Sequence, residues 1–245
     1  MNRFLLFAVG CLALTQVAAQ ENDNYLHNRT MLERMSGQGV VGNVVPLSSM
    51  GGNTPGLIGD VYLYQDYRKA TFLLYDNDKV AQGYATRLDL QRNEFDVMVG
   101  KGIKSLPGSY VRSLFWRDSL TNSAQYYVNA KDYKNEEDVP YIGFFQILSE
   151  GDLTLFKITE LIFKPADRVV AHSTGSKDNR FIKKGHLYYA IGRKAIELPA
   201  RKGVKKLFES KSVEMDKYVK VNEMDLTKES HLTAAFDYYN SLVKK

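Results

Sequence analysis

Apolar and polar positions alternate with a two-residue period through residues 58–117, the signature of half-buried strands. Glu94-Phe95-Asp96-Val97-Met98-Val99 places Phe95, Val97 and Val99 on one face, and Thr86-Arg87-Leu88-Asp89-Leu90 turns Leu88 and Leu90 inward. Ala70–Tyr75 is apolar on both faces, which suits a central strand. Asp76–Lys79, Gln91–Asn93, Gly100–Gly102 and Pro107-Gly108 supply turn residues where reversals are needed. The stretch therefore predicts an antiparallel β-meander.

The pattern continues with strands expected over Ser123–Ala130, Tyr141–Leu148 and Leu153–Lys164. In the last of these, Leu153, Leu155, Lys157, Thr159, Leu161 and Phe163 share a face opposite Phe156, Ile158 and Ile162, which predicts cover on both faces. Arg180–Pro199 reads as a hairpin turning at Gly192-Arg193. The period then changes to helical. Val204, Leu207 and Phe208 form one stripe, Met215, Tyr218 and Val219 another. Leu232, Ala235, Phe236, Tyr239, Leu242 and Val243 form a third behind Thr227 as N-cap. The fold class expected is mainly β (α+β): an antiparallel meander forming a sandwich or partly open barrel, with C-terminal helices packed on it.

Residues 1–19 read as a signal peptide, with Arg3 as the basic start, Phe4–Leu14 as the apolar core and Val17-Ala18-Ala19 as the cleavage site. That core is shorter than the ~20 residues a membrane span requires. Cys11 is the one cysteine and lies inside this leader, and Ala8 occupies the place where a lipoprotein signal carries Leu. Cleavage after Ala19 leaves a cysteine-free chain, which excludes disulfides and thiolate metal sites and suits a bacterial envelope. The domain plan is then 1–19 leader, 20–57 flexible Gly-rich segment, 58–199 β domain and 200–245 helical segment. The expected location is the periplasm, or association with the outer membrane.

Composition adds one asymmetry. Residues 180–245 carry 15 Lys/Arg against 8 Asp/Glu, net +7, while residues 1–179 are net −2. Such a basic end can meet anionic lipid head groups; the leader argues against nucleic acid.

Candidate chemistry is sparse. His27, His172, His186 and His231 have no ligand-spaced partners, and there is no HExxH or GxSxG motif. Gly37–Gly42 spells GxGxxG without a surrounding strand–helix unit, so it reads as a loop. Asp76-Asn77-Asp78 begins like a calcium loop, but the positions needing Gly and Glu hold Ala81 and Arg87. No catalytic residue, cofactor or metal ligand is therefore expected. The aromatic residues remain, and Tyr on an open sheet face is a recurrent binding device. Tyr62, Tyr64, Tyr67, Trp116, Tyr188 and Tyr189 are the candidate binding surface.

The order VYLYQDYRKATFLLYDNDKVAQGYATRLDLQRNEFDV, GFFQIL–GDLTLFK, TGSKDNRFIKKGHLYYAIGRKAIEL, RKGVKKLFESKSVEMDKYVKVN and HLTAAFDYYNSL, across roughly residues 55–242, resembles a family of secreted β-rich proteins of Bacteroidota. The resemblance implies an envelope location and transfers no activity. The function expected is a non-enzymatic envelope module that binds a protein or glycan. The alternatives are a carboxylate-dependent hydrolase of envelope polymers and a carrier of a small apolar ligand inside a barrel.

Overall fold

The computed structural model describes residues 57–76, 78–117, 124–166 and 178–243. Eleven strands form one sheet: β1 (Leu57–Ile58), β2 (Arg68–Leu74), β3 (Val80–Asp89), β4 (Glu94–Val99), β5 (Gly102–Pro107), β6 (Val111–Arg117), β7 (Ala124–Asn129), β8 (Phe144–Ser149), β9 (Thr154–Lys164), β10 (Asn179–Ile191) and β11 (Lys194–Glu197). Their order is β1-β10-β9-β8-β7-β6-β2-β3-β4-β5, with β11 also on β10. Every ladder is antiparallel except the short β1–β10 pairing.

β2 to β5 are the expected meander, with left-handed backbone at Asp78, Asn93 and Gly100 where turns demand it. The meander stops at Pro107. Gly108–Tyr110 makes one 3-10 turn, held where Gly108 N–H donates to Asn93 O at 2.9 Å, and β6 pairs with β2 rather than β5. A Cβ at Gly108 would lie 2.7 Å from Asn93 O, so this approach requires glycine. The two-faced apolar run of β2 thus gains partners on both edges, β3 and β6.

Because β5 leads directly into β6 at the other side of β2, the β2–β6 strands curl around their shared face. Phe72, Leu74, Phe95, Leu106, Leu114 and Trp116 fill the concavity, with Phe95 edge-on to Phe72 and Phe144 at ring separations of 5.1 Å. Burying an aromatic or aliphatic side chain of this size contributes about 1.5–3 kcal/mol.

The segment before β2 differs from the strand expected of it. Past the left-handed Gly59, residues 60–67 cross from β10 to the far end of β3 as a strap. Leu63 N–H donates to Leu88 O, Leu90 N–H donates to Val61 O, and Tyr62 bridges Asp89. Lys183 on β10 donates to Asp60 at 2.9 and 3.1 Å. The ladder order is open, and this strap ties the two flanks together.

β8 to β11 carry apolar cover on both faces at one end. One face holds Phe145, Phe156, Ala190 and Ala195; the other receives helices α1 (Arg201–Leu207), α2 (Ser212–Val221) and α3 (Glu229–Val243) over Leu155, Leu187 and Tyr189. The helical stripes bury Val204, Phe208, Met215, Leu232, Ala235 and Phe236. Asn240 fastens α3 to the turn between β8 and β9: its Oδ1 accepts from Leu153 N–H at 3.1 Å, and its Nδ2 donates to Leu153 O at 2.9 Å. Thr227 is not the N-cap of α3. Its hydroxyl donates to Asp225 Oδ1, and the helix starts two residues later.

Candidate functional site

The six aromatic residues expected on an open face are not gathered there. Trp116 is 1% exposed, and its indole N–H donates to the buried Thr86 hydroxyl at 2.9 Å. Tyr62 is 3% exposed. The Arg87 guanidinium lies between two phenol rings, 3.6 Å from the centre of Tyr62 and 4.6 Å from that of Tyr67. Burial first, and then the Asp96 carboxylate, pushes the Tyr62 phenol up to about 12. Tyr64 caps the end of the β2–β6 core, edge-on to Trp116, and its hydroxyl donates to Gln125 at 2.8 Å. Tyr188 is half-buried against Phe145 and Tyr141, and Tyr189 is half-buried under the helices. As a contact surface the set fails at Tyr62 and Trp116, because both side chains are consumed by the fold.

The carboxylates singled out in the turns also have local duties. Asp76 pairs with Lys79 and Asp78 with Arg112, while in the loop between β7 and β8 Asn135 Oδ1 accepts from the N–H groups of Glu137 and Val139. Among the described residues no three His, Cys, Asp or Glu side chains are placed to hold a metal ion. Lys202, Lys205, Lys206, Lys217 and Lys220 are exposed on α1 and α2, interspersed with Glu209, Glu214 and Asp216. His27, His172, the leader expected over residues 1–19 and the Gly-rich segment up to residue 56 lie outside the described residues.

A concave site forms where the sheet splits. β8 pairs with β9 only as far as Phe145 opposite Ile158, and beyond that β9 pairs with β10 alone. Thr159–Lys164 is thus a strand edge without a partner among the described residues. It borders a cleft of about 620 Å³ whose other walls are the β3–β4 turn, the strap and the start of β8. Leu63, Leu88, Leu90, Phe144, Leu161 and Phe163 give it an apolar lining, and Gln91, Asn93, Glu160, His186 and Glu197 supply its polar groups. Gly143, left-handed at φ 97, turns the chain away from β9 and opens the split.

Two carboxylates in the cleft, Glu160 and Glu197, flank His186. Its Nε2 lies 3.4 Å from Glu160 Oε2 and its Nδ1 lies 3.7 Å from Glu197 Oε1. Tyr188 stands beside them, its phenol raised by burial and then by Glu197 and Glu160. Phe163 is 53% exposed, an unusual state for a phenylalanine in an eleven-residue strand, and its ring lies tilted against that of Phe181 across the ladder, 5.6 Å between centres.

The sequence signal for this cleft was slight. Pro165 ends β9 and Lys164 ends its apolar run, but whether an edge has a partner depends on chain brought from elsewhere. No family model matches the chain, and no curated protein or solved structure is similar to it. Among the described residues no helix is long and apolar enough to cross a membrane.

Proposed function

We propose that the protein is a non-enzymatic binding module of the bacterial cell envelope that captures an extended polypeptide by strand addition along β9. One observation carries this reading: six consecutive residues, Thr159–Lys164, present a backbone edge that has no partner among the described residues and borders an apolar-lined cleft. An exposed edge of this kind is a template for another chain, and natural sheets that leave one open commonly use it. Main-chain hydrogen bonds then supply affinity, while alternating pockets read the side chains. The envelope location is supported by the leader at residues 1–19.

A ligand enclosed by the curl of β2–β6 is a weaker reading, because Trp116, Phe72 and Phe95 already fill that space. The hydrolase reading has an observation in its favour, the two carboxylates Glu160 and Glu197 beside His186. It predicts that Glu160→Gln and Glu197→Gln each abolish turnover of an envelope polymer.

Strand addition is tested by placing a photo-reactive phenylalanine analogue at position 163 in the producing cells. The expected result is a covalent adduct with a polypeptide, absent when the analogue replaces the exposed Tyr110. Adducts confined to lipid or glycan, or none at all, would overturn the reading.

A further inference from the structure

The edge of β9 is complementary to itself, and we infer that the strand it takes is β9 of a second copy of this chain. This inference rests on the strand-addition reading. In an antiparallel ladder, opposed residues share a face and either exchange both backbone bonds or exchange neither. The residues whose backbone groups point outward have the same parity in both copies. A strand pairing with its own copy about a two-fold axis is therefore centred on a residue, never between two.

Within Thr159–Lys164 the symmetric centres that pair both flanks are Glu160, Leu161, Ile162 and Phe163. Centring on Glu160 sets that carboxylate against its own copy. Centring on Leu161 sets the charged Glu160 against Ile162. Centring on Phe163 sets Ile162 against Lys164. Centring on Ile162 alone matches like with like: Glu160 faces Lys164 of the other copy twice, Leu161 faces Phe163 twice, and Ile162 meets itself. Opposed charges and apolar pairs across a ladder are each favourable, whereas a charge against an aliphatic chain is not.

Within one chain, Lys164 stands directly opposite Arg180 in the β9–β10 ladder, two like charges side by side. Glu160 from the other copy brings a negative charge to the same face. The exposed Phe163 gains cover from Leu161 in the same step, and each β9–β10 arm enters the cleft of the other copy.

The test is sedimentation equilibrium of the protein as its host produces it. The wild type is expected to sediment at twice the mass of the single chain. Glu160→Lys and Lys164→Glu each place like charges opposite one another twice, and each is expected to weaken dimerisation at least about tenfold, a change of ~1.4 kcal/mol. Both positions are exposed, so circular dichroism should remain that of the wild type. The double variant restores both contacts with reversed sign and is expected to return to within a few-fold of the wild-type constant.

A wild-type monomer, or a double variant no tighter than either single one, would overturn the inference. The photo-adduct separates the two ideas. A polypeptide adduct of some other chain with a monomeric wild type sinks self-pairing and leaves strand addition standing. The absence of any adduct sinks both.

Discussion

Replacing Arg87 by methionine keeps the aliphatic stem of the side chain and removes its guanidinium. Two effects follow from the geometry. Asp96, whose side chain is 0% exposed, loses the hydrogen bonds from Arg87 Nε and Nη2 at 3.2 and 3.1 Å. It retains Arg92 Nη2 at 3.4 Å. Removing one member of a buried ion pair costs about 3–5 kcal/mol, and the surviving Arg92 contact places this case near 3 kcal/mol. The Tyr62 and Tyr67 rings also lose their cation, worth about 0.5–1 kcal/mol each.

The sum is a loss of about 4 kcal/mol. For a chain of 245 residues this corresponds to a fall in Tm of about 8–16 °C. Thermal and urea unfolding followed by circular dichroism measure it directly. The companion variant Arg87→Met/Asp96→Leu removes both charges and leaves no orphan, so it should recover at least about half of the loss. A single variant losing under about 1 kcal/mol, or a double variant no better than the single, would refute the reasoning.

Two further outcomes are expected. Asn240→Leu leaves the buried N–H and C=O of Leu153 without partners, which costs about 2–6 kcal/mol for the two groups; limited proteolysis should then cut within 229–243 well before the sheet, and equal resistance to wild type would contradict the role given to Asn240. Burial alone would raise the Asp60 carboxyl, but hydrogen bonds from Lys183, Gln65 and the Tyr62 N–H outweigh it and hold it below the ordinary value of 3.8. The stability this bond gives the strap is therefore complete above pH about 4 and is lost as pH falls through the lowered folded-state value. Asp60→Asn should show the loss already at neutral pH and flatten the acid limb between wild type and variant.

The elements readable from sequence are those whose partners lie close along the chain. β2 to β5 and the β10–β11 hairpin announce themselves through alternation and through Asp78, Asn93, Gly100 and Gly192, all left-handed at their turns. The helices follow from apolar spacing alone. Pairing β6 with β2 was not readable, because it depends on the 3-10 turn at Gly108–Tyr110 sending the chain across the concave face. Tyr62, Tyr64 and Tyr67 misled for a physical reason. A strap lying across the end of a sheet does not keep the two-residue period of a strand, so Tyr62 and Tyr64, two positions apart, meet different neighbours: Tyr62 meets Arg87 and Tyr64 meets Trp116. Alternation records only that two environments differ; it does not record a ladder. The cleft was hidden for the converse reason, since Thr159–Lys164 has the composition of any strand and its distinction is a neighbour that ends early.

The Lys183–Asp60 bond joins residues 123 positions apart, and the Leu153–Asn240 bond residues 87 apart. At a synthesis rate of about 5–20 residues per second, Asp60 waits roughly 6–25 s for its partner to exist. During that interval the strap has nothing to close against, although β2 to β8 can already curl and bury Phe72, Phe95 and Trp116. Completion is then timed from the C-terminal end of the chain: β10 first draws the strap shut, and α3, arriving last, locks the turn before β9. A ribosome stalled before residue 179 would hold a half-built sheet with its flanks untied, and protease sensitivity confined to residues 57–67 would be its mark.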